Sequence, residues 1–163
     1  MNNAPNLITD RLRLYNINDN DAGDIVKWRS NPDVYKYFLT PKPITIEGHL
    51  NWYYNSYLKD TNRIDWMAYD YADNKIGVFG IKRNDEDMCM AEVSYILSPE
   101  WYGYGYATEA IEKIVRCYKE IWDLKYVVAE IHEDNSLSRK FAERLGFKLE
   151  SINEHFIIYK RLL

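Results

Sequence analysis

Two glycines, Gly103 and Gly105, stand one residue apart in the stretch SPEWYGYGYATEA. Because glycine has no Cβ, consecutive backbone N–H groups in such a loop can turn the same way and approach an anion closely. A helix that begins near Tyr106 adds unpaired N–H groups and the positive end of its dipole. The glycines by themselves are equally compatible with a pyrophosphate-binding loop and with a tight strand-to-helix turn that holds no ligand.

The spacing of this loop differs from two common nucleotide-binding patterns. A dinucleotide-binding fold has G-x-G-x-x-G near its first strand, whereas the third glycine position here is Thr108 and the loop lies past mid-chain. A P-loop has Gly-Lys-Ser/Thr before its helix, and the sequence contains no such tripeptide. Neither of these nucleotide folds is therefore expected.

Three segments in a fixed order carry a stronger signal than the glycines alone. SYILSPEWYGYGYATEAIEKIVRC resembles the coenzyme-A loop and helix of the GNAT acetyltransferases, in the branch that includes the ribosomal-protein N-terminal acetyltransferases. That branch typically reads GYWLxPxxWGKGYATEA. EDNSLSRKFAERLGFKLE is similar to the family's Asn-x-x-Ser…Lys-Leu-Gly-Phe segment, with Asn135, Ser138, Gly146 and Phe147 in register. The opening ITDRLRLYNINDNDAGDIVKWRSNPDV also resembles the family's start, so the resemblance covers essentially the whole chain.

The resemblance implies an α+β fold with a GNAT-type mixed, mostly antiparallel sheet. Its central strands splay apart, and helices flank it. The resemblance also implies a single GNAT acetyltransferase domain over residues 1–163 and acetyl-CoA as the co-substrate, with no metal. In this family the strand before the loop diverges from its neighbour, and the V-shaped gap admits the pantetheine arm.

The resemblance assigns most of the coenzyme-A contacts to the backbone. Backbone groups of Tyr95, Ile96 and Leu97 would pair with the pantetheine amides like an added strand. Thr108, in the first helical turn, adds a hydroxyl, whereas Asn135 either bonds the pantetheine arm or caps the next helix. The N–H groups expected to hold the pyrophosphate are those of Tyr102, Gly103, Tyr104, Gly105, Tyr106 and Ala107.

Two positions depart from the family pattern. The family has Gln or Arg three residues before the first glycine, and here that position is Glu100, which we expect to point away from the pyrophosphate. Many relatives have a Tyr at the position of Ala142, where it protonates the departing thiolate. The nearest hydroxyl is that of Ser138, one turn earlier on the same helix face, which is the acid proposed in the ribosomal branch. Alternatively, Ser138 only bonds a backbone carbonyl.

Glu92, within CMAEVSYI, is the best candidate for the base that removes a proton from an acceptor amine. A carboxylate in an apolar strand beside the cofactor gap should have a raised pKa. Alternation alone is equally compatible with a solvent-facing or cross-strand paired Glu92. No covalent intermediate is needed, and Cys89 and Cys117 have no neighbouring His that would activate them.

The first helices are expected to build the acceptor pocket. The pattern Trp-Arg-Asn/Ser-x-Pro-x-Val, followed by Ile-x-x-x-x-His-x-x-Trp, is similar to the nucleotide-linked amino-sugar N-acetyltransferases of nonulosonic-acid synthesis. The rings of Trp28 and Trp52 suit sugar or base faces, and Arg29 suits a phosphate. Alternatively, both tryptophans belong to the core and His49 is a satisfied helix residue.

The family implies an N-acetyltransferase in which a primary amine attacks the acetyl group directly. The acceptor is an amino-sugar nucleotide, a protein or peptide N-terminus, or a small amine. The alternative is a non-catalytic acyl-CoA-binding module that acts as a sensor or partner, which the absent Tyr at Ala142 keeps open. The final hairpin around INEH is shorter than in relatives, where a longer loop often covers the acceptor.

Composition excludes several other classes. The 163 residues are 47% hydrophobic and carry a net charge of −4, which favours a folded protein and argues against a nucleic-acid partner. No apolar run approaches the roughly 20 residues of a membrane span, and the N-terminus lacks a secretory signal, so a cytoplasmic protein without a membrane partner is expected. Cys89 and Cys117 are expected to be buried, reduced residues. Phe156 and Tyr159, if exposed, permit a homodimer.

Hydrophobic periodicity predicts the elements that position these residues. Tyr54, Ile121 and Leu137 are among the residues predicted on the apolar faces of helices. The expected order is a strand over LITDRLRLYNI, short helices over NDNDAGDIVKWRS, NPDVYKYF and TIEGHLNWYYNSYLKD, antiparallel strands over RIDWMAYDY, KIGVFGIKR and CMAEVSYILS, a long helix after the loop, a strand over KYVVAEIHE, a helix over DNSLSRKFAERLGFK, and a last hairpin.

Overall fold

The computed structural model describes residues 4–163, which form an open sheet of eight strands. In chain order the strands are β1 (Leu7–Ile8), β2 (Leu12–Asn16), β3 (Arg63–Asp70), β4 (Lys75–Arg83), β5 (Met90–Leu97), β6 (Tyr126–His132), β7 (Lys148–Asn153) and β8 (Phe156–Leu162). Their order in the sheet is β1-β2-β3-β4-β5-β6-β8-β7. Each neighbouring pair is antiparallel except β5 and β6, which are parallel. The mixed, mostly antiparallel sheet is thereby confirmed.

Helices connect these strands and cover both faces of the sheet. Thr45 begins the third helix, because its Oγ1 accepts a hydrogen bond of 3.0 Å from the N–H of Gly48. None of the helices within the described residues is long and apolar enough to cross a membrane. Over the same residues the helices are α1 (Ala22–Arg29), α2 (Pro32–Tyr35), α3 (Ile46–Asn55), α4 (Tyr106–Trp122) and α5 (Ser136–Arg144).

Two hydrophobic clusters lie on opposite faces of the sheet. The larger one joins strand residues such as Trp66 and Phe79 to Ile111 and Ile114 of α4 and Phe141 of α5. The smaller one joins residues of α1 and α3 to the sheet and comprises Ile17, Ile25, Trp28, Tyr53, Tyr57 and Met67. Helices α1 and α3 therefore cover one face of the sheet, and α4 and α5 cover the other.

Strands β5 and β6 pair over only a short length. The parallel register runs from Met90 opposite Tyr126 to Glu92 opposite Val128, and it ends there. Beyond Glu92, β5 stays paired with β4 as far as Leu97, while β6 follows β8. The central strands therefore diverge as predicted, and the β6-facing edge of β5 lacks a strand partner over residues 93–97.

The opening segment LITDRLRLYNI forms two strands and not the single strand expected. Thr9 makes the turn, because its Oγ1 accepts from the N–H of Leu12 at 2.9 Å and its own N–H donates to the carbonyl of Leu12 at 2.9 Å. Leu7 then pairs with Leu14 across the hairpin. The hydroxyl of Thr9 ends the first strand early because it satisfies the backbone locally.

Three residues predicted on apolar helix faces are exposed. The exposed fraction is 48% for Tyr54, 54% for Ile121 and 72% for Leu137. The sheet covers a narrower stripe of each helix than the periodicity suggested, and these positions lie at its border. Tyr54 shows the consequence, since its hydroxyl donates to Asp19 Oδ2 at 2.5 Å on the surface.

The expectations for the cysteines and the last hairpin also need correction. Cys89 is exposed, because it lies in the turn before β5 and not in the core. Cys117 is half-buried. Tyr159 is only 1% exposed, since its side chain points from β8 into the core, and Phe156 is half-buried. The exposed aromatic pair proposed for a homodimer is therefore not present on this hairpin.

Candidate active site

Gly103 and Gly105 form the turn between β5 and α4. Both adopt left-handed backbone conformations, with φ of +85° and +80°, which side chains rarely tolerate. A Cβ added at Gly103 would meet no atom of the described protein within 4 Å, so packing does not explain this glycine. Helix α4 begins directly afterwards at Tyr106, and the first N–H groups of an α-helix have no partner within the helix. Loop and helix end together can receive an anion.

A cavity of about 230 Å³ occupies the gap between β5 and β6. Glu92 lines it from the last paired position of β5, and Ser138 lines it from the first turn of α5. Asn135 lies in the same wall and caps α5, because its Oδ1 accepts from the N–H of Ser138 at 3.2 Å. The two residues predicted to be catalytic therefore face one cavity.

The hydroxyl of Ser138 meets the phenol of Tyr95 at the wall of this cavity. Their oxygens are 3.1 Å apart, and either can donate. The Tyr95 ring stacks on Phe79, with centroids 6.4 Å apart, and meets Phe141 edge-on at 5.0 Å. Ser138 thus bonds a side chain and not the backbone carbonyl considered as its alternative partner.

A second cavity, of about 180 Å³, lies on the α1 and α3 side of the sheet. Its walls bring together the four residues predicted to bind the acceptor. Phe38, Ser94 and Tyr95 line both cavities and form the boundary between them. The predicted acceptor residues in the second cavity are Trp28, Arg29, His49 and Trp52.

Comparison with known proteins identifies the family. The sequence model of the acetyltransferase (GNAT) domain matches residues 11–148. This range includes Glu92, Ser138 and the glycine loop. This chain belongs to the GNAT acetyltransferase family. Its domain is an N-acetyltransferase domain of the GNAT fold.

Two relatives and one solved structure show how far the similarity extends. An uncharacterized protein of Methanocaldococcus jannaschii, MJ1062, is 31% identical over 144 residues, which are 85% of this chain and 28% of that protein. The uncharacterized N-acetyltransferase YoaA of Bacillus subtilis is 28% identical over 94% of this chain and 88% of the relative. Spermidine N-acetyltransferase from Vibrio cholerae, in complex with CoA and spermine, has a TM-score of 0.82 at 20% identity, covering 94% of this chain and 96% of that chain. This chain thus aligns with under a third of the length of the archaeal protein and with most of the length of the bacterial one.

The structure shows the surroundings of the other residues predicted to bind acetyl-CoA. The edge of β5 over residues 93–97 has no strand on its β6 side, which leaves backbone groups for an extended arm. Thr108, in the first turn of α4, is exposed. Glu100 is also exposed and lies in the short 3-10 turn Pro99–Trp101. In the described part of the chain no group of three or more His, Cys, Asp or Glu residues is arranged to hold a metal.

Glu92 has an environment that suits a base. Its side chain reaches solvent at the cavity mouth, but the surrounding protein removes much of its hydration. This desolvation raises the pKa of Glu92, and the Glu130 carboxylate on β6 adds to the increase. Arg63 and Lys82 act in the opposite direction. A carboxylate with a raised pKa accepts a proton more readily from an ammonium group.

Arg29 and His49, which line the second cavity, each have a buried hydrogen-bonding atom without a partner in the described part of the chain. Nε of Arg29 and Nε2 of His49 are buried, and neither has a hydrogen-bond partner within residues 4–163. Burial lowers the pKa of His49, and the nearby Arg29 cation lowers it further, so the imidazole is neutral near pH 7. Burial also lowers the pKa of Arg29, and repulsion from the Arg63 cation lowers it further. Both nitrogen atoms are therefore unsatisfied polar atoms beside this cavity.

Sequence reasoning missed the pair formed by Arg63 and Asp65 in the same cavity. Nε of Arg63 donates to Asp65 Oδ2 at 2.8 Å, and the Arg63 guanidinium lies 5.1 Å from the ring centroid of Trp52. Asp65 is only 3% exposed. The available signal was the R-x-D alternation in β3, which places both side chains on one face of the sheet.

Arg11 is a second residue that sequence reasoning missed. Its Nη1 donates to the carbonyl of Tyr104 at 2.8 Å, and its Nε pairs with Glu109 Oε2 at 2.6 Å. The guanidinium also lies 4.7 Å from the ring centroid of Tyr106. A positive charge from the N-terminal hairpin therefore fixes the glycine loop, and no local pattern in the sequence indicates this contact.

Proposed function

We propose that this protein transfers the acetyl group of acetyl-CoA to a primary amine that enters through the cavity of Trp28 and His49. The observation that carries the proposal is the meeting of two cavities at the unpaired edge of β5, between Glu92 and the glycine loop. One cavity provides a path for the thioester arm, and the other provides a separate entrance for the acceptor. A module that only binds acyl-CoA has no need of the second entrance.

Backbone groups hold the co-substrate in this proposal. Tyr95, Ile96 and Leu97 offer their backbone groups to the pantetheine amides, and Asn135 lies beside the path of the arm. Arg11 contributes positive charge beside the pyrophosphate loop. The N–H groups assigned to the pyrophosphate are those of Tyr102, Gly103, Tyr104, Gly105, Tyr106 and Ala107, with the hydroxyl of Thr108 as a further donor.

The reaction is a direct transfer. Glu92 accepts one proton from the bound ammonium group, and the free amine attacks the thioester carbon. The new C–N bond forms as the C–S bond breaks, and Ser138 protonates the departing thiolate. Starting from the ammonium group, the nitrogen gives up two protons, one to Glu92 before the attack and one as the amide forms. The sulfur gains one proton through Ser138 and the other is released to solvent, so no covalent enzyme intermediate is required.

The charges of the acceptor cavity favour an acceptor that carries an anionic group. Arg29 and Arg63 supply two guanidinium groups against the single carboxylate of Asp65, and His49 offers an unused ring nitrogen. A phosphate bound there would complete the hydrogen bonds that Arg29 lacks. We therefore favour an amino-sugar nucleotide, whose rings suit the aromatic walls, over a polyamine or a peptide N-terminus.

The site of action proposed for the protein is the cytoplasm. Cys89 and Cys117 are both free thiols, and Cys89 is exposed. An exposed free thiol suits a reducing compartment, in which disulfides do not persist.

The first test is the thermal melting temperature of the purified protein with and without acetyl-CoA, beside a Gly105→Val variant. A ligand at about 100 times its Kd should stabilise the folded protein by about 2.7 kcal/mol, and the variant should lose this shift because Val is strained at positive φ. Gly23→Ala is the matched control, since that exposed helical glycine has no atom within 4 Å of the added Cβ.

Release of free CoA then separates catalysis from binding. Wild type is assayed with a UDP-linked amino sugar, a peptide with a free N-terminus and spermidine. Glu92→Gln should retain the melting shift and lose turnover. If wild type binds acetyl-CoA but releases no CoA with any of these amines, the chain acts as an acyl-CoA-binding module and the transferase proposal fails.

A further inference from the structure

Tyr95 places a phenol directly behind the serine that is proposed to protonate the leaving group. Its hydroxyl oxygen lies 3.1 Å from Oγ of Ser138, and both residues line the cavity between β5 and β6. Ala142, one turn after Ser138 on α5, is 3% exposed and brings no hydroxyl to the cavity. The strand thus supplies an acidic O–H group that the helix lacks.

A serine alone is a poor proton donor to a thiolate. An alcohol resembles water, whose pKa is roughly 15.7, whereas a thiol has a pKa of about 8.5. A phenol, with an ordinary pKa of about 10, is far closer to the thiol. If Ser138 gives its proton to sulfur while it receives the phenolic proton, the net transfer runs from phenol to thiolate and the energetic difficulty largely disappears.

We propose that Tyr95 acts through Ser138 as the proton source for the departing thiolate. As the C–S bond of the thioester breaks, the Oγ–H proton of Ser138 moves to sulfur, and the O–H proton of Tyr95 moves to Oγ of Ser138. The resulting phenolate takes up one proton from solvent before the next turnover. The attacking ammonium loses two protons, one to Glu92 and one as the amide forms. One of them balances the proton taken up by Tyr95 and the other is released to solvent, so the cycle consumes no further reactant. This inference rests on the proposed transferase function.

The surroundings of Tyr95 hold its hydroxyl in this position. Phe79 stacks on one side of the ring, and Phe141 meets it edge-on from α5. The N–H of Ser138 donates to Oδ1 of Asn135 at 3.2 Å, which caps the start of α5. Burial raises the pKa of Tyr95, while the Ser138 hydrogen bond acts in the opposite direction, so the phenol remains protonated at neutral pH.

The test compares Tyr95→Phe, Ser138→Ala and the double variant with wild type, by release of CoA from acetyl-CoA. Tyr95→Phe should lower kcat on the order of 10-fold to 100-fold, with KM for acetyl-CoA unchanged within about two-fold. The double variant should be no slower than the slower single variant, because both residues act in one relay. Tyr118→Phe is the matched control: it also removes the hydroxyl of a buried tyrosine, but in a helix outside the cavity.

The proton inventory in mixed water and heavy water gives a readout that a structural hydrogen bond does not change. Wild type should show a curved dependence of kcat on deuterium fraction, because two protons move together, and Tyr95→Phe should show a smaller and linear dependence. A kcat for Tyr95→Phe within about three-fold of wild type, or costs that add fully in the double variant, would overturn the relay while leaving the transferase intact. If wild type releases no CoA in water or with any amine, the transferase proposal fails first and the relay with it.

Discussion

The carboxylate of Asp65 fills the space that a side chain on Gly80 would need. The two residues are register partners on β3 and β4, and a Cβ on Gly80 would lie 2.0 Å from Oδ1 of Asp65 and 3.0 Å from Oγ of Ser94. Asp65 accepts a hydrogen bond from Arg63, and both line the second cavity. The lack of a Cβ at position 80 therefore allows this pair of charges to form there.

Gly80→Ala should therefore disturb both stability and the acceptor site. The methyl group must displace the buried Asp65 carboxylate from Arg63, which we expect to cost about 1–3 kcal/mol of unfolding free energy. KM for the acceptor should rise, whereas the dissociation constant of acetyl-CoA should change little. Urea denaturation and steady-state kinetics measure the two effects. An unchanged midpoint in the variant would contradict the close approach, and Gly23→Ala serves as the neutral comparison.

Arg29→Met should weaken the acceptor and spare the co-substrate. Methionine keeps most of the buried volume but cannot donate to an anionic group, so KM for an anionic acceptor should rise by about 10-fold or more. Lys27→Met removes an exposed positive charge from the same helix and should have little effect. Equal effects of the two variants would mean that Arg29 acts only through the overall charge of α1.

Arg11→Ala should weaken acetyl-CoA binding. The variant loses the hydrogen bond to the carbonyl of Tyr104 and the positive charge beside the glycine loop, so the dissociation constant should rise by about 10-fold. Arg13→Ala is the control, because Arg13 also makes an ion pair, with Asp73 at 2.6 Å, away from that loop. Isothermal titration calorimetry of both variants decides whether Arg11 supports the loop or only the N-terminal hairpin.

The acid limb of the pH profile should report Glu92. A base must be deprotonated, so kcat/KM falls as the pH drops through the pKa of Glu92, which desolvation by the surrounding protein and the charge of Glu130 raise. The limb should therefore lie at a higher pH than for an ordinary glutamate. Glu130→Gln removes a negative charge and should move the limb to lower pH, whereas Lys82→Met should move it to higher pH.

The pH profiles of wild type, Glu130→Gln and Lys82→Met are measured below pH 7 with the same acceptor. The acceptor amine titrates on the alkaline side and is common to all three. Shifts in the same direction for Glu130→Gln and Lys82→Met would contradict the assignment of the limb to Glu92.

Local sequence rules were sufficient to predict the main helices and strands and the glycine loop. Positive φ at Gly103 and Gly105, the Thr45 cap and the start of α4 at Tyr106 each depend on a few neighbouring residues, so the sequence by itself determined them. The periodicity of α4 likewise predicted a helix with one buried face. Its border was misjudged at Ile121, because the width of the buried stripe depends on the sheet beneath the helix.

The sequence also determined which residue types the site holds, but not their partners. Glu92 was predicted from its place in an apolar strand beside the cofactor gap, and Ser138 from the family pattern. The structure places both in the lining of one cavity, and their catalytic roles stay predictions. The contact of Tyr95 with Ser138 joins residues 43 positions apart, and the contact of Arg11 with Tyr104 joins residues 93 positions apart. Only the packing of α5 on the sheet and of the N-terminal hairpin on the loop creates these contacts.

Tertiary structure alone decided the shape and charge of the second cavity, which we propose for the acceptor. Trp28 and His49 come from α1 and α3, whereas Arg63 and Asp65 come from β3, and the absent Cβ of Gly80 on β4 gives Asp65 its place. Within its own helix or strand, each residue's orientation follows from the local periodicity. Their convergence depends on the strand order and on which face each helix covers, and long-range burial of apolar surface fixes both.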